Sequence, residues 1–227
     1  VKSLGSKVTI KSKRCEIKGI GLNDKFKKNI ILNAGNSGTL GRLILGLLVN
    51  TKNKIKLIGD NSLSRRDFSR VTKPLSKFGV KFFSNKNTLP IIMRGSSYPK
   101  SINYQELKGS AQCKSTVMLA ALKSKGLTKI KAKKSRNHTE LLFKYLNIPM
   151  KIKKSKEYDL ISIKGINKIN NLNYKIPGDI SSSAFFIVLT ILSKNSELLI
   201  KDININPSRV GIIKILKRMG AKIKIIN

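Results

Sequence analysis

Apolar positions in this chain fall into two spacings that alternate along its length. Short stretches with apolar residues at every second position, or nearly every position, occur at 54–58, 81–83, 91–93, 127–132, 151–154, 160–163 and 198–200, and around Cys15-Glu16-Ile17. These predict strands. Phe68, Val71, Leu75 and Phe78 keep helical spacing, and Leu141, Leu142, Tyr145 and Leu146 supply the apolar face of another helix. Pro74 lies inside the first of these helices, where it removes a backbone donor. Asn137 and Glu140 are spaced for a capping box at the start of the second.

A third pattern organises the others. Ala34-Gly35-Asn36-Ser37-Gly38-Thr39-Leu40-Gly41-Arg42 is a run of mostly small residues that passes directly into the apolar helical run 43–49, with residues 25–31 as its lead-in. Such a run lets backbone approach a ligand closely and presents the free N–H groups of a helix start, which is an anion-binding arrangement. The chain repeats it at Gly109-Ser110-Ala111-Gln112 and at Gly178-Asp179-Ile180-Ser181, 74 and then 69 residues on. Leu4-Gly5, Phe78-Gly79, Leu146-Asn147 and Met219-Gly220 recur at the same period, each a helix end with Gly or Asn for a left-handed cap and a short strand expected after it. A period near 70 residues marks a repeated unit of two helices among short strands.

The chain has 227 residues, of which 40% are hydrophobic, enough for a substantial core. Its longest apolar runs fall short of the ~18 residues that a membrane span needs. A polar connector over 166–173 precedes Lys175-Ile176-Pro177 and marks the expected domain boundary, with one domain over 1–174 and the start of a second over 175–227. The formal charge of +36 suggests a polyanion partner. Yet the basic residues comprise 38 lysines and only nine arginines, and the lysines are scattered among Ile and Asn on solvated faces. That is general stickiness toward polyanions and not a dedicated nucleic-acid surface. Cys15 and Cys113 are too few for a disulfide framework and are expected as reduced packing residues; His138, the sole histidine, excludes a metal site built on several imidazoles.

The scarce arginines carry the chemistry. Arg42 stands in the first helix start, Arg66 after the Gly59-Asp60 strand end, and Arg136 at the corresponding place one unit later. Guanidinium groups grip carboxylate and phosphate oxygens in bidentate fashion. Three helix starts and three arginines describe a cleft for small, highly anionic substrates, with Ser110 and Gln112 as neutral donors that orient them.

The series Gly35-Asn36-Ser37-Gly38-Thr39 with Arg42, Gly59-Asp60-Asn61-Ser62-Leu63-Ser64-Arg65-Arg66, Ser110-Ala111-Gln112 with Lys114-Ser115, Arg136-Asn137-His138-Thr139-Glu140, Pro177-Gly178-Asp179-Ile180-Ser181-Ser182 and Asn206-Pro207-Ser208-Arg209 resembles the 5-enolpyruvylshikimate-3-phosphate (EPSP) synthase family along essentially the whole chain. The resemblance implies an α/β fold of βαβαββ units, three to a domain, in two domains that close over the substrates. It implies a cytoplasmic enzyme of aromatic amino acid biosynthesis, monomeric at full length and without a cofactor or metal. That enzyme adds the 5-hydroxyl of shikimate 3-phosphate to phosphoenolpyruvate and then eliminates phosphate. Carried over by motif, Ser110, Ala111, Gln112, Ser135 and Arg136 would hold shikimate 3-phosphate; Gly38, Arg66 and Gln112 would contact phosphoenolpyruvate; Asn36 and Thr39 would shape the turn. Asp179 would lie near the hinge. Gly38 leaves room at the phosphoenolpyruvate site, so the parent enzyme is expected to be sensitive to glyphosate, which occupies that site in the family.

There are departures from the family pattern. Asn137 replaces an Asp, Gly41 stands where a larger residue is common, and Asn33 precedes the glycine turn where an acid is frequent. The family's opening Lys-Ser…Arg motif would precede Val1, and its catalytic Asp and Glu and the later Lys and Arg would follow Asn227. The chain is therefore expected to be an internal piece, without a catalytic residue and inactive alone. Two rivals remain: a UDP-N-acetylglucosamine enolpyruvyl transferase, which would need a reactive Cys in a mobile loop, and a basic nucleic-acid-binding module on similar repeats.

Overall fold

The computed structural model describes residues 1–22, 29–84 and 86–226, so part of the lead-in expected over 25–31 lies outside the described residues. They divide into two compact units, Val1–Asn170 and Asn171–Asn227. The first unit opens with a helical turn over Lys2–Leu4, ended by Gly5 at φ 100°, and the antiparallel hairpin β1 (Lys7–Lys11) and β2 (Arg14–Lys18). Cys15 is exposed on this hairpin, so it is not the packing residue expected; β2 has no buried residue along its length.

The rest of the unit is one topology used twice. In the first repeat β3 (Ile30–Asn33) leads to α1 (Gly38–Leu47), β4 (Ile55–Ile58), the single-turn α2 (Asn61–Ser64), α3 (Ser69–Lys77), β5 (Lys81–Phe82) and β6 (Ile91–Arg94). In the second, β7 (Asn103–Glu106) leads to α4 (Ala111–Ala121), β8 (Leu127–Lys133), α5 (His138–Tyr145), β9 (Met150–Lys154) and β10 (Tyr158–Lys164). The sheets run β3-β4-β6-β5 and β7-β8-β10-β9, each with its first pair parallel and the others antiparallel. These are two βαβαββ units, as the family resemblance implied, at the period read from the sequence. Alternation along β8 places Thr128, Ile130 and Ala132 inside and the lysines at 129, 131 and 133 outside.

A single apolar core joins both repeats, with Phe68, Phe78 and Phe143 among its largest fully buried side chains. Helix α4 has eight buried residues among its eleven, as expected of a helix enclosed by other elements on every side. Its closest neighbour is α1. At Gly46 a Cβ would sit 2.3 Å from the Thr116 carbonyl oxygen, so only glycine allows the two backbones to meet there. The last strands of both repeats use the same device: a Cβ at Gly95 would lie 2.4 Å from the Val49 carbonyl oxygen, and one at Gly165 would lie 1.9 Å from that of Ser124. Pro74 is buried within α3 and leaves the Arg70 carbonyl without its intrahelical donor; the helix ends three residues later.

In the second unit, α6 (Ile180–Leu192) and α7 (Gly211–Arg218) are joined by a connection that returns to pair in parallel with the start of α6. The Gly178 N–H donates to the Asp202 carbonyl at 2.7 Å, and Asn204 N–H to the Gly178 carbonyl at 3.0 Å. The strands expected at 198–200 and after Gly220 do not form ladders among the described residues. A strand exists by its pairing, and among the described residues neither segment forms a bridge, the pairing in this unit being that of Gly178 with Ile203.

Candidate functional site

The site is built from two helix starts of the first unit. Each is preceded by a glycine in the left-handed region, Gly35 at φ 53° and Gly109 at φ 68°, which turns the chain so that a serine becomes the helix cap. Ser37 Oγ accepts from Leu40 N–H at 3.1 Å, and Ser110 Oγ accepts from Cys113 N–H at 3.3 Å. Asn33, where the family often has an acid, still accepts the Gly35 N–H at 2.8 Å. Asn36 donates to Asp60 Oδ2 at 2.5 Å, and Asp60 caps α2 by accepting Leu63 N–H at 2.7 Å. Those two donors hold the Asp60 carboxyl below the usual carboxylate range, the Leu63 N–H contributing most.

Gln112, in the first turn of α4, joins the two starts. Its Nε2 donates to Thr39 Oγ1 at 2.7 Å, and its Oε1 accepts from Arg42 Nη1 at 2.8 Å. Arg42 is thus engaged by the protein itself. It also reaches the Asp67 carbonyl at 3.4 Å and stacks over the Phe68 ring at 5.1 Å, so its charge is held by protein partners. Arg66 and Arg136 are exposed. Arg66 lies over Gly38: a Cβ there would be 3.2 Å from Arg66 Nη1 and 2.9 Å from Arg42 Nη1.

The turn carrying Ser135 and Arg136 rests on α4. Ser115 Oγ and Thr139 Oγ1 are 2.7 Å apart, and Lys114 Nζ donates to the Arg136 carbonyl at 3.0 Å. Ser135 Oγ is shut off from solvent without a hydrogen-bond partner. Thus Gly38, Thr39, Arg66 and Gln112 form one neighbourhood, and Arg136 is linked through its backbone to the same helix that carries Ser110, Ala111 and Gln112. The capping box expected at Asn137 is absent: Asn137 makes no side-chain cap hydrogen bond, and the Glu140 carboxylate that would reach back to it is drawn inward to a buried ion pair with Lys114.

Glu106 escaped the sequence reading, and Lys114 was read as part of a motif without its buried pairing. Glu106, at 4% exposure, accepts the Ser110 N–H through Oε2 at 2.7 Å and pairs with Arg70 through Oε1 at 2.8 Å, fixing the backbone ahead of α4. Lys114 did carry a signal, since a charge in the middle of an otherwise buried helix requires a partner. Tyr104, on the same strand as Glu106, has its phenol pushed well above its ordinary value, chiefly by burial.

The third helix start belongs to the second unit. Asp179 caps α6 by accepting Ser181 N–H at 3.1 Å, and Arg209 pairs with Asp179 at 3.5 Å and also donates to Ser181 Oγ. Asp179 is held below its ordinary value, first by the Ser181 N–H. The loop cysteine that a UDP-N-acetylglucosamine enolpyruvyl transferase would need is missing here, as Cys15 lies on β2 and Cys113 is buried in α4.

Known proteins are similar to this chain in sequence and in fold. A 3-phosphoshikimate 1-carboxyvinyltransferase of Petrotoga mobilis is 42% identical over 215 residues, covering 93% of this chain and 49% of the relative. One from Ruthia magnifica is 39% identical over 225 residues, covering 99% and 51%. The solved EPSP synthase of Acinetobacter baumannii superposes with a TM-score of 0.84 at 32% identity, over 100% of this chain and 51% of that one. The chain spans about half the length of the relatives it matches. The sequence profile described as EPSP synthase (3-phosphoshikimate 1-carboxyvinyltransferase) matches residues 1–226, and the chain belongs to that family.

Proposed function

We propose that this chain supplies the shikimate 3-phosphate pocket, and part of the phosphoenolpyruvate pocket, of a 3-phosphoshikimate 1-carboxyvinyltransferase. The observation that carries the reading is the Gln112 bridge, which ties the first turn of α1 to that of α4, and a helix start is an arrangement that suits anionic groups. Ser110, Ala111, Gln112, Ser135 and Arg136 bind shikimate 3-phosphate. The buried, unpartnered Ser135 hydroxyl gains an acceptor there, and the Arg136 guanidinium meets an anionic oxygen of the substrate. Gly38, Arg66 and Gln112 bind phosphoenolpyruvate, whose phosphate and carboxylate suit a guanidinium standing over bare backbone. Asn36 and Thr39 hold the turn.

Addition of the 5-hydroxyl across the enol double bond requires a proton to be delivered to the methylene carbon and one to be taken from the hydroxyl. The carboxylates around the helix starts are already committed: Asp60 to Leu63 and Asn36, Asp67 to Ser69, and Glu106 to Ser110 and Arg70. These 227 residues therefore bind without turning over, and the catalytic acid and base are supplied from elsewhere in a complete enzyme. In that enzyme the reaction is cytoplasmic and needs no cofactor, membrane or nucleic acid.

Calorimetric titration of the purified chain with shikimate 3-phosphate tests the reading. Saturable binding that weakens about tenfold in Arg136→Ala, a loss near 1.4 kcal/mol, is expected. Absence of binding, or steady-state product formation by the chain alone, would refute it.

A further inference from the structure

Lys114 is 1% exposed and Glu140 5% exposed, and their ion pair is enclosed between α4 and α5. One oxygen of the carboxylate, Glu140 Oε2, is buried without a hydrogen-bond partner. A buried pair with an unsatisfied oxygen is a poor stabiliser, because desolvation of two charges consumes most of the Coulombic gain and apolar residues of the same volume would serve the core as well. Its geometry suggests another role. The same Lys114 ammonium donates at 3.0 Å to the carbonyl of Arg136, whose own side chain is exposed. Glu140, four residues beyond Arg136 and in the first turn of α5, pairs with the same ammonium.

We propose that the Lys114–Glu140 pair is a positioning device for the turn that carries Ser135 and Arg136, fixing where that guanidinium stands relative to the start of α4. The inference rests on the substrate reading above for its functional consequence, but not for its structural content. Lys114 does not touch the substrate. It anchors the Arg136 peptide to α4, the helix whose first turn carries Ser110 and Gln112, so that the two halves of the shikimate 3-phosphate pocket hold their spacing when empty. Ser115 and Thr139 make a second tie, one residue beyond Lys114 on α4 and three residues beyond Arg136, so the Arg136 peptide itself is held to α4 by Lys114.

The test uses the whole chain with both charges replaced together, Lys114→Met with Glu140→Leu, because removing one alone would strand a buried charge and unfold the unit. Two measurements are made. In the ligand-free protein, backbone order parameters for Ser135–Asn137 should fall from about 0.85 to below about 0.6, while those of α4 stay unchanged. Separately, affinity for shikimate 3-phosphate should drop about tenfold in the double variant, yet less than about twofold when the same changes are made in an Arg136→Ala background, since the coupling runs through Arg136. Unchanged order parameters would overturn the proposal whether or not the ligand binds. Equal losses in both backgrounds would also overturn it, by showing a general effect on folding. If the unaltered chain binds no shikimate 3-phosphate, the substrate reading fails, and the order parameters still decide the positioning role.

Discussion

Gln112 Nε2 donates to Thr39 Oγ1 at 2.7 Å across 73 residues of sequence, and this bond joins the two repeats at the point where both helices begin. Gln112→Ala removes that bond and the 2.8 Å bond from Arg42, whose half-buried guanidinium then loses its carboxamide acceptor. Two such bonds, one to a charged group, contribute about 1–3 kcal/mol. At about 2–4 °C of Tm per kcal/mol for a chain of this size, thermal unfolding followed by circular dichroism should show a clear decrease. Thr39→Val, which removes one neutral bond, should lower Tm by less. Equal Tm values for Gln112→Ala and the parent would show that the bridge adds nothing.

What the sequence revealed about this arrangement was local. The serine caps, the positive-φ glycines before them, and the left-handed caps at Gly5, Gly79, Asn147 and Gly220 are each decided within a few residues, so their spacing exposed the repeat before any coordinates. Glu106 and Arg70, and Lys114 and Glu140, lie far apart along the chain, and no periodicity links an acid to a base at such distances. Glu140 was legible as a cap and served as a buried partner, since the demand of a charge inside α4 outweighs one exposed helix start. Gly95 and Gly165 also carry the 70-residue period, but their role depends on a backbone far away in sequence, Val49 for one and Ser124 for the other, which spacing does not reveal. The second unit was least legible: α6 announces itself by the Asp179 cap and α7 by its apolar spacing, whereas strands depend on neighbours that the spacing of one segment does not reveal.

Gly46→Ala is expected to be severe. The added methyl would meet the Thr116 carbonyl oxygen at 2.3 Å, and a backbone oxygen within a packed helix cannot rotate aside. Helices α1 and α4 must separate, at a cost of about 1–3 kcal/mol or more for overpacking. The urea midpoint should fall while the slope of the transition is kept, and a midpoint equal to that of the parent would contradict the close approach.

Gly38→Ala should behave differently, because its methyl would meet only the ends of flexible side chains, Arg42 Nη1 at 2.9 Å and Arg66 Nη1 at 3.2 Å. The guanidiniums shift and the fold survives, so Tm should change little. Phosphoenolpyruvate binding in the presence of shikimate 3-phosphate should weaken by about tenfold, equivalent to 1.4 kcal/mol. Unaltered phosphoenolpyruvate affinity would remove Gly38 and Arg66 from that site.

Acid should act on the site through Asp60. Its carboxyl is held below the ordinary value of 3.8 by the Leu63 N–H and the Asn36 amide. As pH falls, the unfolded chain takes up the proton near 3.8 while the folded chain still resists. The contribution of the charged carboxylate is therefore complete above the unfolded value and is lost as pH drops through the lower, folded one. Asp60→Asn keeps a capping oxygen for Leu63 but has no charge to titrate. The stability difference between parent and variant, measured by urea unfolding, should be constant from about pH 7 down to about pH 5 and then shrink below about pH 4. The turn at Asn36 should loosen over the same range, since its amide loses the ionised acceptor. A difference that stayed flat down to pH 2, or widened on acidification, would show that the Asp60 carboxylate is not what holds α2 and the first glycine turn together.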